Sequence, residues 1–87
     1  MAIDGKYGRV VTARGDIGKD EPVVVFRAQD KLLPHLLRVY RQLCLDAGSP
    51  ELHLRAIDDT LANVEGWQST NYTQVPQSKG YEPMKDE

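Results

Sequence analysis

An α+β fold, a β-hairpin followed by an α-hairpin in the order ββαα, is predicted from three observations. A β-branched apolar run, Val23-Val24-Val25-Phe26, lies in the first third of the chain and favours extended backbone. Two apolar series at three- and four-residue steps follow it, the mark of amphipathic helices. Gly48-Ser49-Pro50 separates the two series, and so short a connection predicts antiparallel neighbours.

Each element has its own warrant. Residues 1–5 read as a loose start. Lys6 to Arg14 reads as a strand, with Tyr7, Arg9, Val11 and Ala13 on one face. Gly15-Asp16-Ile17-Gly18-Lys19-Asp20-Glu21 supplies turn residues. Pro22 opens a second strand, where a missing N–H is tolerated, and the two strands are expected to pair antiparallel. Asp30 is a natural N-cap. Pro34 falls in the first helical turn, where its lost hydrogen bond matters least. Leu33, Leu36, Leu37, Tyr40, Leu43, Cys44 and Ala47 then mark one face of the first helix. Gly48 ends it at C′. Ser49 is expected to cap the second helix and Pro50 to take its first position. Leu54, Ile57, Leu61, Val64 and Trp67 form the second stripe. From Gln68 the pattern stops, so residues 1–67 are expected to be a single ββαα domain and residues 68–87 a polar tail without its own core.

Composition narrows the function classes. A chain of 87 residues and 9.8 kDa is sized for one small domain. Its net charge of −2 gives no global pull toward nucleic acid. Apolar runs are too short for a membrane span, and no secretory leader is visible. One cysteine excludes an internal disulfide framework and a cysteine-rich zinc site. The expectation is a cytoplasmic protein with neither a membrane nor a nucleic-acid partner. Charge is uneven: residues 31–47 are net basic and residues 48–87 net acidic. The second helix, with Glu51, Asp58, Asp59 and Glu65 against Arg55, would be repelled by DNA phosphates.

Self-association is expected. A two-stranded hairpin is marginal alone, and this one carries valines on both faces. The first helix has surplus apolar residues, Leu32, Val39 and Leu45, beside its main stripe. Several such side chains left in water make an adhesive patch, and a homo-oligomer resolves it.

No pattern supports catalysis. Cys44 lies between Leu43 and Leu45 on the helical stripe and reads as core. His35 and His53 have no companion ligands at metal spacing. Asp58 and Asp59 are adjacent, and adjacent helical side chains point about 100° apart, so they read as a solvated face. No enzyme activity, metal or cofactor is expected. The residues with most potential for ligand binding are at the strand-to-helix junction. A helix N-terminus favours anions. Arg27 adds a rigid guanidinium fork there, and Asp30 sits beside it. Lys6, Tyr7 and Arg9 on the first strand can extend that surface. The alternative is structural: Arg27 pairs with an acid and Asp30 only caps.

The segment Glu21-Pro22-Val23-Val24-Val25-Phe26-Arg27-Ala28-Gln29-Asp30 resembles a group of short bacteriophage and prophage proteins, many from actinobacterial hosts. The resemblance runs through Tyr40, Ala47-Gly48-Ser49-Pro50 and Trp67, over residues 6–67. It implies a phage accessory protein acting in a bacterial cytoplasm, and assigns no catalytic or binding residue. Combined with the Arg27 junction, the expected function is sequestration of a phosphate-bearing small ligand, such as a cyclic-nucleotide signal of host defence, by a homo-oligomer. The alternatives are a protein-interaction module acting on a host or phage protein, and a virion accessory.

Overall fold

Three short strands and two helices carry the described residues, 2–15 and 17–76, of the computed structural model. They are β1 (Ala2–Asp4), β2 (Gly8–Val10), β3 (Pro22–Val23), α1 (Leu33–Asp46) and α2 (Glu51–Gln68). Two compact units result, one ending at Phe26 and one spanning Arg27–Pro76. Asp16 of the expected turn, and the part of the expected tail beyond residue 76, lie outside the described residues.

The first unit is a three-stranded sheet in the order β2-β1-β3. The α+β class holds, but the strand pairing differs from the antiparallel hairpin expected of residues 6–14 and 22–26. The supposed loose start provides β1, the central strand. β1 pairs antiparallel with β2, Ile3 opposite Arg9, and parallel with β3, Asp4 opposite Val23. The cause is Asp4. Its side chain, only 3% exposed, accepts the N–H groups of Lys6 at 2.8 Å and Tyr7 at 2.6 Å through Oδ1. Those bonds shape the β1–β2 turn, and Gly8, at φ +86°, supplies the left-handed residue that brings the chain back. Oδ2 accepts the N–H of Val25 at 2.6 Å. That donor therefore goes to a side chain instead of a neighbouring strand, and the apolar run forms a strand only over Pro22–Val23.

The second unit is an antiparallel helical hairpin. Pro34 sits in the first turn of α1, as its missing N–H allows. Asp30 is not the N-cap expected of it but lies two residues before that position: its carboxylate accepts the Leu32 N–H at 2.7 Å, and Leu32 is the N-cap. Gly48, at φ +84°, ends α1 as expected, with Ser49 N–H bonded to the Cys44 carbonyl at 2.9 Å. Ser49 does not cap α2. Pro50 takes the cap position in extended backbone and no side chain bonds to the helix start.

Cys44, Leu54 and Ile57 form the buried centre of the hairpin, with Leu37 packed against them. Leu33 and Val64 are also buried. Two ion pairs fix the direction along one seam. Arg38 reaches Glu65 at 2.9 Å, and Arg41 grips Asp58 at 2.6 and 3.2 Å. Advancing along α1 moves backward along α2, so the helices are antiparallel. Both pairs are exposed, so they orient the hairpin more than they stabilise it.

The chain after α2 returns to the start of the unit. Gln74 N–H bonds to the Gln29 carbonyl at 2.8 Å, and Lys31 N–H to the Gln74 carbonyl at 2.9 Å. The Gln68 amide donates to the carbonyls of Ala28 and Asp30 at 2.8 and 2.9 Å. Residues 28–31 are thus held between the last turn of α2 and the strand-like segment at Gln74.

Candidate functional site

The five residues singled out from sequence fall into two sets, each within its own unit. In the first unit, Lys6 and Tyr7 are neighbours in the β1–β2 turn, and the Lys6 ammonium lies 5.6 Å from the centre of the Tyr7 ring. Arg9 is in β2, opposite Ile3. In the second unit, the Arg27 carbonyl accepts the Asp30 N–H at 3.0 Å. The Arg27 side chain is exposed and has no ion-pair partner among the described residues.

The backbone donors of residues 30–33 are already engaged. Asp30 N–H goes to Arg27, Lys31 N–H to Gln74, Leu32 N–H to the Asp30 carboxylate and Leu33 N–H to the Asp30 carbonyl. Residue 34 is proline and has no N–H. The anionic group that a helix start favours is Asp30 itself. An incoming phosphate would not find the N–H groups of residues 30–33 free to bind it.

The remaining candidates resolve into structural roles. Cys44 is a buried free thiol. Tyr40 lies beside it, and hydrogen bonding with that thiol is the first cause raising the Tyr40 phenol above its ordinary pKa. The His53 ring meets the Tyr40 ring edge-on at 6.2 Å. Asp58 is taken by Arg41, and that hydrogen bond raises the guanidinium's pKa further. Among the described residues no cluster of His, Cys, Asp or Glu is arranged to hold a metal. In the first unit, Ala2, Val10, Val11, Thr12, Gly15 and Ile17 line a hollow of about 240 Å³. Thr12 provides its one polar side chain, too little to orient a charged ligand.

The surface that stands out is on α1. The apolar face expected of this helix divides in two. Leu37 and Cys44 pack with Leu54 and Ile57 of α2, and Leu33 is buried as well. Leu32, Leu36, Val39 and Leu43 turn away and remain 56%, 37%, 44% and 60% exposed. Their spacing of four, three and four residues places them along one line within about 60° of the helix circumference. Tyr40, also exposed, borders this line on the side nearer α2. Lys31, His35, Gln42 and Asp46 border it on the other. Leu36 and Leu43 were expected in the core and Leu32 and Val39 beside it. The 4-3-4 spacing was readable in the sequence, but a hairpin covers only part of so wide an apolar arc.

No protein-family model, curated relative or solved structure matches this chain.

Proposed function

We propose that this protein is a non-catalytic protein-interaction module whose working surface is the outward apolar line of α1. The observation that carries this reading is the exposure of Leu32, Leu36, Val39 and Leu43 at seam spacing, on a helix whose other apolar line is already buried. Four aliphatic side chains in a row are a costly surface to leave in water. Such a row is also the usual anchor set for a helix that docks on another helix or into a groove. The phage accessory setting implied by the resemblance makes a host or phage protein, or another copy of the chain, the class of partner.

The test is co-purification from cells making tagged and untagged copies together. Val39→Glu is expected to remove the co-purifying protein, whichever it is, while the helical circular dichroism signal stays. A co-purifying set that is empty, or that Val39→Glu leaves unchanged, would contradict the reading.

Capture of a phosphate-bearing small ligand is a second reading, supported by the exposed Arg27 guanidinium with no ion-pair partner among the described residues. Calorimetry with cyclic di- and trinucleotides tests it. Heat that disappears in Arg27→Ala is its expected outcome, and no heat at high micromolar ligand contradicts it.

A further inference from the structure

We infer that the occupant of the α1 apolar line is α1 of a second copy, lying antiparallel to it about a two-fold axis near Leu37 and Arg38. This rests on the reading of that line as the working surface and names its partner.

The argument comes from charge. A helix favours negative side chains at its N-terminus and positive ones at its C-terminus. The first turn of α1 contains no acid and its last turn no base, and the acid that serves its start is Asp30, just ahead of the helix. Lys31 immediately precedes the N-cap residue Leu32, and Asp46 is the last residue of the helix. Lys31 is exposed, with no ion-pair partner among the described residues. Asp46 is exposed and accepts only a hydrogen bond from Gln42, at 2.8 Å, among the described residues. The C-terminal end of α1 therefore carries a charge that its own dipole disfavours, while Lys31, next to the Asp30 carboxylate that serves the helix start, leaves a cation at the other end.

An antiparallel second copy gives Lys31 and Asp46 opposite charges at both ends of the interface. It brings its Asp46 beside the N-terminus and Lys31 of the first copy, and its Lys31 beside the C-terminus and Asp46. The same axis sets Leu32 against Leu43 of the second copy and Leu36 against Val39, so every member of the line meets another member. Such an interface is isologous, with each contact made twice. Arg38, nearest the axis in sequence, is turned to Glu65 of its own chain, which removes the like-charge conflict there. A parallel pairing would instead place Asp46 against Asp46 and Lys31 near Lys31.

Sedimentation equilibrium of the full chain tests the arrangement. The expected species is a dimer with twice the 9.8 kDa mass of the chain. Lys31→Asp alone and Asp46→Lys alone are each expected to weaken the dimer by about tenfold, because each places like charges together twice. The double variant is expected to return to within a few-fold of the starting affinity. Either single reversal improves the match of α1 to its own dipole, so the helical signal should persist and unfolding does not confound the result. A dimer strengthened by Asp46→Lys, or a double variant no tighter than the singles, overturns the antiparallel pairing. A chain that stays monomeric at about 100 μM, well above the range of specific complexes, overturns self-association. If such a monomer still co-purifies another protein through Val39, the interaction reading stands and only the identity of its partner is wrong.

Discussion

The carboxylate of Asp4 accepts the N–H of Val25 at 2.6 Å, across 21 residues of chain. One buried side chain thereby holds both the turn after β1 and the segment after β3. Its pKa lies below the ordinary carboxylate value. The Tyr7 N–H is the largest cause, burial opposes it, and the Val25 and Lys6 N–H groups add to the lowering. A group whose pKa is lowered by folding contributes stability that is complete above its unfolded pKa of about 3.9 and fades as pH falls through the folded value. Asp4→Asn is expected to lower the melting temperature by several degrees at pH 7 and to flatten the loss of stability in acid. Thermal melts from pH 7 to pH 2 check this, and identical acid profiles for the two proteins would remove Asp4 from its assigned place.

The Gln68 amide is expected to hold the entry to α1 in place. Gln68→Ala removes two hydrogen bonds to carbonyls and should cost about 1–2 kcal/mol. The local signature is amide exchange: Lys31 and Gln74, which bond across the same segment, should exchange faster than in the parent chain, with the middle of α2 unchanged. Uniform acceleration over the whole unit would point to global destabilisation instead.

The two apolar lines of α1 and its partner helix should respond oppositely to truncation. Ile57 is buried at the centre of the hairpin, so Ile57→Ala should cost about 2–3 kcal/mol, toward the low end for such deletions because the core is small. Leu43→Ala, on the outward line, should change the stability of the dilute chain by no more than about 0.5 kcal/mol. Urea unfolding at low micromolar protein distinguishes them, and similar costs at both positions would mean that the outward line is part of the core.

Cys44 is expected to be shielded. Its thiol should react with an aromatic disulfide reagent at least about tenfold more slowly in the folded chain than in urea, since access requires local opening. Equal rates would mean that the hairpin opens freely. Spectrophotometric titration should also show a tyrosine ionising above the usual range, and Cys44→Ala should reduce that shift, because the thiol is its first cause.

The helices were legible because their signals are local. Pro34, Gly48 and Pro50 bracket them, and the three- and four-residue spacing marks which sides are apolar. The sheet was not. Strands of two and three residues are too short to show alternation, and Ala2-Ile3-Asp4 has no strand signature of its own. The parallel pairing of β1 with β3 depends on the Asp4 carboxylate reaching Val25, a contact that sequence spacing does not reveal. Arg27 is exposed ahead of α1. That the Lys31 N–H is taken by Gln74 required the return of the chain after α2, where the apolar pattern has ended. The outward line was visible as surplus apolar residues, but dividing Leu36 and Leu43 from Leu33 and Leu37 required knowing how much of α1 one neighbouring helix covers.

The most direct measurement is photo-cross-linking in the cell from a benzophenone side chain placed at Leu43, with the same group at Gln42 as the control on the polar border. The account predicts a covalent adduct at 43, weak or absent at 42, whose mass is that of two chains. No adduct at 43, or equal adducts at both positions, would contradict the claim that the outward line of α1 is the surface through which this protein works.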